Sequence, residues 1–227
     1  MARTVLVTGG ASGLGGAVTR ALSEAGDAPF VLDLRPPAAA FDHLCVDLAD
    51  TRAAEAAVTR AASARGGGLD AVVTAAGIDA CGPLASVPGE DWERVVRVNL
   101  LGTAAVVRAA LPYLVAASGR VVTVASTLGL RPLPEATAYS ASKFGVVGFT
   151  RALAAELAGS VGVTLLVPGG MQTPFFEGRP EQYRPGPDAQ LNRPEDVAAA
   201  VLFALNQPPG CEVRELVVTP SREPSWP

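Results

Sequence analysis

Short apolar runs recur along this chain, each followed by a polar or glycine-rich break and then by a longer stretch with helical spacing. Residues 4–7, 30–33, 43–46, 69–73, 120–125, 162–167 and 214–219 read as strands. Helices are expected from the glycine-rich break after the first strand to about residue 26, and over 51–64, 90–117, 139–157 and 194–206. Asp50 stands where it can cap the second of these. Pro194 opens the last at a position where its missing N–H costs nothing. Strand and helix alternate with no internal repeat and no domain boundary. That pattern predicts an α/β fold, one domain over residues 1–227, built as a doubly wound parallel sheet of about seven strands with helices on both faces. A ligand then belongs at the carboxyl ends of the strands. The connection over 170–193 is long enough to be a lid, and residues 220–227 read as a loose tail.

Composition narrows the partners. Charged residues make up 18% and hydrophobic ones 49%, which excludes a disordered chain. The net charge of −4 leaves no basic footprint, so neither nucleic acid nor an anionic membrane is expected as a partner. No apolar run is seen that approaches a membrane span. Cys45, Cys81 and Cys211 lack metal-like or redox spacing and fit a reducing cytoplasm. His43 is the single histidine and has nothing ligand-like beside it, so no metal site is expected.

Candidate chemistry begins with residues 8–15, Thr-Gly-Gly-Ala-Ser-Gly-Leu-Gly, lying between a strand and a helix. Missing β-carbons let a backbone approach a pyrophosphate, and a helix N-terminus offers free amides to it. Gly9, Ser12, Gly13, Leu14 and Gly15 are therefore candidates to hold a dinucleotide. Asp33 ends the second strand 18 positions after Gly15, where a carboxylate can accept from ribose hydroxyls and repel a 2′-phosphate. NAD is favoured over NADP on that ground, although Arg35 could pair with a 2′-phosphate. Asp47 and Leu48 fall where adenine could lie. Ala75, Ala76 and Gly77 are small enough for a cofactor to rest on their backbone.

Tyr139 and Lys143, four residues apart, share a helix face. An ammonium beside a phenol favours the phenolate, so Lys143 is expected to lower the pKa of Tyr139 from about 10. Ser126, thirteen residues upstream at a strand end, can hydrogen-bond the same substrate oxygen. Asn99 is a polar residue in an apolar helix: a satisfied core amide, or a kink that orients a water. An apolar pocket for a small, largely apolar hydroxy or keto compound is read from Ile78, Leu128, Leu133, Met171, Phe175 and Phe176, several of which would serve equally as core.

Together, Thr-Gly-x-x-x-Gly-x-Gly, Ser126 and Tyr139-x-x-x-Lys143 resemble the short-chain dehydrogenase/reductase family over nearly the whole length. The resemblance implies a Rossmann-type fold and hydride transfer between NAD(H) and an alcohol or ketone. It assigns Asn99, Ser126, Tyr139 and Lys143 to the family's catalytic tetrad. Tyr139 would be the acid–base, Lys143 would bind the nicotinamide ribose, and Asn99 would hold a water leading to Lys143. Pro168, Gly169 and Thr173 match the segment flanking the nicotinamide. A homodimer or homotetramer is implied as well. The rival readings are an NADP-preferring carbonyl or ketoacyl-type reductase and a dinucleotide-binding regulator without turnover. Thr74 stands where the family usually has asparagine, and the end over 212–227 lacks the glycine-rich close of many members.

Overall fold

Side-chain alternation in the first strand sets up two hydrophobic layers. In β1 (Thr4–Thr8) Leu6 faces one core, while Val5 and Val7 face the other. The computed structural model describes residues 2–223 and Trp226. After β1 come α1 (Gly13–Glu24), β2 (Ala28–Asp33), β3 (Asp42–Cys45), α2 (Thr51–Ala64) and β4 (Ala71–Thr74). Two helices, α3 (Gly89–Val96) and α4 (Thr103–Ala117), lead into β5 (Arg120–Val124). The chain then forms α5 (Thr137–Glu156), β6 (Gly162–Pro168), α6 (Pro194–Leu205) and β7 (Glu215–Val218).

All seven strands pair in parallel, in the order β3-β2-β1-β4-β5-β6-β7. The order reverses between β1 and β4. Helices leaving neighbouring strands there go to opposite faces, and a crevice opens at the strands' carboxyl ends. One layer packs Leu6, Leu32 and Val121 of the sheet against α2, α4 and α5. The other packs Val5, Val73 and Leu166 against α1 and α6. Burying a side chain such as Leu6 contributes about 1.5–3 kcal/mol, so an aspartate there would split the sheet from its helices.

The expected seven-stranded, doubly wound sheet is the architecture observed, with strand ends moved by one or two residues. The helix expected over 90–117 is instead broken by a π-helical turn, Arg97–Gly102, that contains Asn99. At Gly102 the chain passes so close to Leu48 that a β-carbon would stand 2.8 Å from the Leu48 carbonyl oxygen. The run Gly89–Ala117 also has a stretch of mean hydropathy 1.7, enough by length and composition to cross a membrane, which the sequence reading did not anticipate. Here its apolar residues Ala105, Val106, Ala110 and Leu114 pack into the core.

The expected loose tail is tied down as far as Glu223. Its carboxylate accepts from the Gly170 amide at 3.0 Å, and the Ser221 hydroxyl donates to Gln190 at 3.5 Å. Within 220–227, Pro224, Ser225 and Pro227 lie outside the described residues.

Candidate active site

The glycine loop after β1 is shaped by two close approaches. A β-carbon on Gly9 would lie 2.7 Å from the Cα of Ala76, and one on Gly15 would drive into the Gly9 carbonyl. Gly9 and Gly13 have φ of +71° and +52°, which disfavour any side chain. The loop is thus pressed onto Ala75, Ala76 and Gly77 at the end of β4. Asp33 closes it from the side, one carboxylate oxygen accepting from the Ala11 amide at 3.0 Å and the other from the Arg35 amide at 3.2 Å. Thr173 arrives from beyond β6, its side chain 3.5 Å from where a Gly13 β-carbon would be. Of the three expected nicotinamide-side residues, Thr173 faces the loop at Gly13, while Pro168 pairs with Val218 of β7 and Gly169 packs against Thr219 and Glu223. This narrow, glycine-lined cradle beside a helix N-terminus fits a dinucleotide pyrophosphate.

Two expected adenosine contacts are otherwise engaged. Asp47 accepts from the Ala49 amide and pairs with Arg94 at 2.9 Å. Burial pushes its carboxyl up, but the amide and the guanidinium outweigh that and hold it below the usual range. Leu48 is buried in the core beside α2, and its carbonyl packs against Gly102 of the π turn. At Thr74 the hydroxyl is buried without a hydrogen-bond partner among the described residues, so the departure from asparagine leaves a local defect.

Asn99, Ser126, Tyr139 and Lys143 converge at the ends of β4 and β5. The Asn99 side chain accepts from the Ile78 amide at 2.8 Å and donates to the Ile78 carbonyl at 2.9 Å and to the Ser142 hydroxyl at 3.0 Å. Ser142 in turn donates to the Tyr139 carbonyl at 2.7 Å. Asn99 thus joins the loop after β4 to the helix carrying Tyr139. Both its amide protons are used, so any water leading to Lys143 would have to rest on its oxygen atoms. Ser142 is a positioning residue the sequence reading passed over, although it sits inside the Tyr139–Lys143 stretch.

The Ser126 hydroxyl accepts from the Leu128 amide at 3.2 Å, and Ser126 acts on the Tyr139 phenol in the direction that lowers its pKa. Burial pushes the Tyr139 phenol up to about 12, and the Ser126 hydrogen bond and Arg179 only partly offset this. The expected lowering by Lys143 is not what this state displays. The Lys143 ammonium donates to the Val124 carbonyl at 2.8 Å and stands 5.5 Å from the centre of the tyrosine ring. Burial pushes Lys143 itself down to about 8.

The connection beyond β6 folds over Tyr139. Its two roots pair through Met171 and Asn192, and two short 3-10 turns, Pro174–Phe176 and Glu181–Tyr183, lie between them. Phe175 packs on Tyr139 at 5.5 Å between ring centres, with Phe176 edge-on behind it at 5.7 Å. The Tyr183 hydroxyl donates to Glu135 across the cleft at 2.7 Å. Of the six expected pocket residues, Phe175 lies over the tyrosine with Phe176 behind it, Ile78 is clamped by Asn99, and Leu128 adjoins Ser126. Leu133 is half exposed and Met171 packs against the core, so neither joins the others. Asp79 and Arg179, which no motif marks, form a buried ion pair at 3.0 Å beside this group.

The family model for short chain dehydrogenase matches residues 3–184. The chain is 36% identical over 220 residues to cis-4-hydroxycyclohexanecarboxylate dehydrogenase of Sinomonas cyclohexanicum, covering 88% of each chain. It is 34% identical to 2-dehydro-3-deoxy-L-rhamnonate dehydrogenase (NAD(+)) of a Sphingomonas strain, over 90% of this chain and 88% of the relative. A match at 38% identity to the 3-oxoacyl-(acyl-carrier-protein) reductase FabG of Thermotoga maritima spans 60% of this chain and 58% of that reductase. The ligand-free aldohexose dehydrogenase of Thermoplasma acidophilum shares the fold, with a TM-score of 0.86 at 24% identity over 96% of this chain and 92% of that one. The glycine cradle, the parallel sheet and these matches lead to one conclusion: the chain belongs to the short-chain dehydrogenase family, whose members are oxidoreductases that bind a nicotinamide dinucleotide.

Proposed function

We propose that this protein oxidises an alcohol or reduces a ketone with NAD(H), using Tyr139 as the general acid–base. The observation carrying this reading is the meeting of Ser126, Tyr139 and Lys143 at the ends of β4 and β5, beside a cradle that fits the cofactor. Gly9, Ser12, Gly13, Leu14 and Gly15 would hold the pyrophosphate, Asp33 the adenosine ribose, and Lys143 the nicotinamide ribose. Ala75, Ala76, Gly77, Pro168, Gly169 and Thr173 would line the rest. The bound nicotinamide supplies or accepts the hydride. Tyr139 gives its proton to the carbonyl oxygen in reduction and takes the hydroxyl proton in oxidation. Ser126, fixed by the Leu128 amide, donates to the same oxygen as charge develops. Asn99 and Ser142 hold the tyrosine helix in register with the loop after β4.

NAD is favoured because both Asp33 oxygens lie at the mouth of the cradle, where a 2′-phosphate would meet a carboxylate. A relative named as NAD(+)-dependent supports the same choice. The competing NADP reading rests on Arg35, exposed two residues on. The body of the substrate would face Ile78, Leu128, Phe175 and Phe176. The free thiols Cys45, Cys81 and Cys211 support a reducing, cytoplasmic setting. Exposed Leu101, Val115 and Phe144 support a homodimer or homotetramer. A monomer in sedimentation at micromolar concentration would overturn that assembly.

The test is nicotinamide absorbance over a panel of alcohols and ketones with NAD(H) and NADP(H), with Tyr139→Phe alongside. Turnover should fall roughly 100-fold or more in the variant, and NAD should be preferred by about tenfold, or 1.4 kcal/mol. Turnover that survives Tyr139→Phe would remove the acid–base assignment. A preference for NADP would remove the role given to Asp33.

A further inference from the structure

We propose that Asp79 and Arg179 are the specificity residues of this site, a paired acceptor and donor that takes a second, neutral hydroxyl of the substrate. The natural substrate is then a diol or polyol rather than a simple hydrocarbon alcohol. This rests on the dehydrogenase reading and adds a substrate class to it.

Position carries the first part of the argument. Asp79 follows Ile78, the residue that Asn99 grips by both its amide and its carbonyl. Arg179 comes from the lid, its guanidinium 4.5 Å from the ring centre of Phe175 and 4.8 Å from that of Phe176. Phe175 is the ring packed on Tyr139. Both charges act on the tyrosine, Asp79 raising its pKa and Arg179 lowering it. Asp79 and Tyr183 also line a cavity of about 540 Å³ opening beside this group, which gives room for the far end of a ligand.

The second part is energetic. The Arg179 and Asp79 side chains keep only 14% and 6% of their surface exposed. Taking two ions out of water costs several kcal/mol each, and well-packed apolar residues often do as well for stability. The pair is therefore poorly explained as a structural device. It is also incompletely satisfied. One Asp79 oxygen accepts from the Ala80 amide at 2.7 Å, and the other lies 3.0 Å from Arg179 Nη2. Yet that nitrogen is buried without a well-directed hydrogen-bond acceptor among the described residues. A buried donor left in this way costs about 1–3 kcal/mol, which a ligand oxygen would recover as the 170–193 connection shifts to admit it.

The third part selects the ligand. A hydroxyl can accept from Arg179 and donate to Asp79 at once, and it brings no charge into the site. A carboxylate would answer Arg179 but set a second anion beside Asp79, whose carboxyl burial already pushes up despite Arg179. An amine would meet the opposite conflict.

The experiment compares cyclohexanol, the cyclohexanediols and the hydroxycyclohexanecarboxylates on wild type, Arg179→Met, Arg179→Lys and Asp79→Asn. In wild type a diol should exceed cyclohexanol in kcat/KM by about tenfold or more, chiefly through KM. Arg179→Met should collapse that ratio towards one, and Arg179→Lys should restore part of it. Wild type that treats diol and cyclohexanol alike, or that handles the hydroxy acid best, overturns the proposal. Binding is measured in parallel by calorimetry on Tyr139→Phe with NAD, with and without Arg179→Met. Diol binding that depends on Arg179 supports the site even where no turnover is found, and the failure then falls on the dehydrogenase reading. Diol binding unchanged by Arg179→Met overturns the specificity site whatever the turnover.

Discussion

On one bank of the cleft, at the ends of β1 and β2, the wall is backbone: Gly9 against Ala76, Gly15 against the Gly9 carbonyl, and Asp33 on the Ala11 amide. On the other bank the wall is side chain: Phe175 and Phe176 from the connection beyond β6, with Arg179 reaching to Asp79. The first bank has almost no freedom, because at Gly9 and Gly15 the close approaches are between main-chain atoms. The second is tied at separate points, Arg179 to Asp79 and Tyr183 to Glu135, each breakable alone. A wall of backbone suits a ligand that never changes, and a wall of side chains suits one that has to be chosen.

If this division is right, damage on each bank should stay there. The largest effect is expected from Gly15→Ala, where the new methyl has no room against the Gly9 carbonyl and the loop must move. Cofactor affinity, read by fluorescence titration of the dinucleotide, should fall at least roughly 100-fold, about 2.7 kcal/mol. A change within threefold would mean that the loop is not the cradle. Arg179→Met, the matching change on the opposite bank, should alter the preference among alcohols and move cofactor affinity less than about twofold, since independent sites add. A cofactor affinity that falls with the alcohol preference would mean the two banks are one unit.

The same division governs what could be read from sequence. The backbone bank is local: a strand, glycines at fixed offsets and a helix start, all within residues 4–24. Tyr139 and Lys143 were legible for the same reason, four residues apart on α5. Asp79 and Arg179 are joined only by the fold, and neither stands in a recognisable spacing. Ser142 was hidden in plain view, because only the approach of the π turn gives its hydroxyl a second partner. Asp47 looked free for adenine until α3 brought Arg94 to it. The direction of the Tyr139 shift was misjudged because sequence reveals a neighbouring charge but not the burial that outweighs it.

Lys143 belongs to neither bank, and it gives the smallest and most discriminating effect. Burial holds it at about 8, against 10.5 for an ordinary lysine. Below pH 8 folded and unfolded chains both carry the proton, and the buried charge costs about 3 kcal/mol. Between pH 8 and 10 the unfolded chain binds more protons than the folded one, so stability rises with pH. Tyr139, pushed up to about 12, opposes this only above about pH 10, where the unfolded phenol begins to ionise. Lys143→Met removes the charge but leaves the Val124 carbonyl without its donor, a loss of about 1–3 kcal/mol. At pH 7 the variant should therefore be inactive yet as stable as wild type or more stable, by up to about 2 kcal/mol, a few degrees in Tm. By pH 9.5 the wild type should have gained about 2 kcal/mol relative to the variant, so the gap should close or reverse. Calorimetry at the two pH values reads this directly. A gap in Tm that does not change with pH would mean that Lys143 keeps its proton in the folded protein, and that its neighbours, rather than its burial, set its charge.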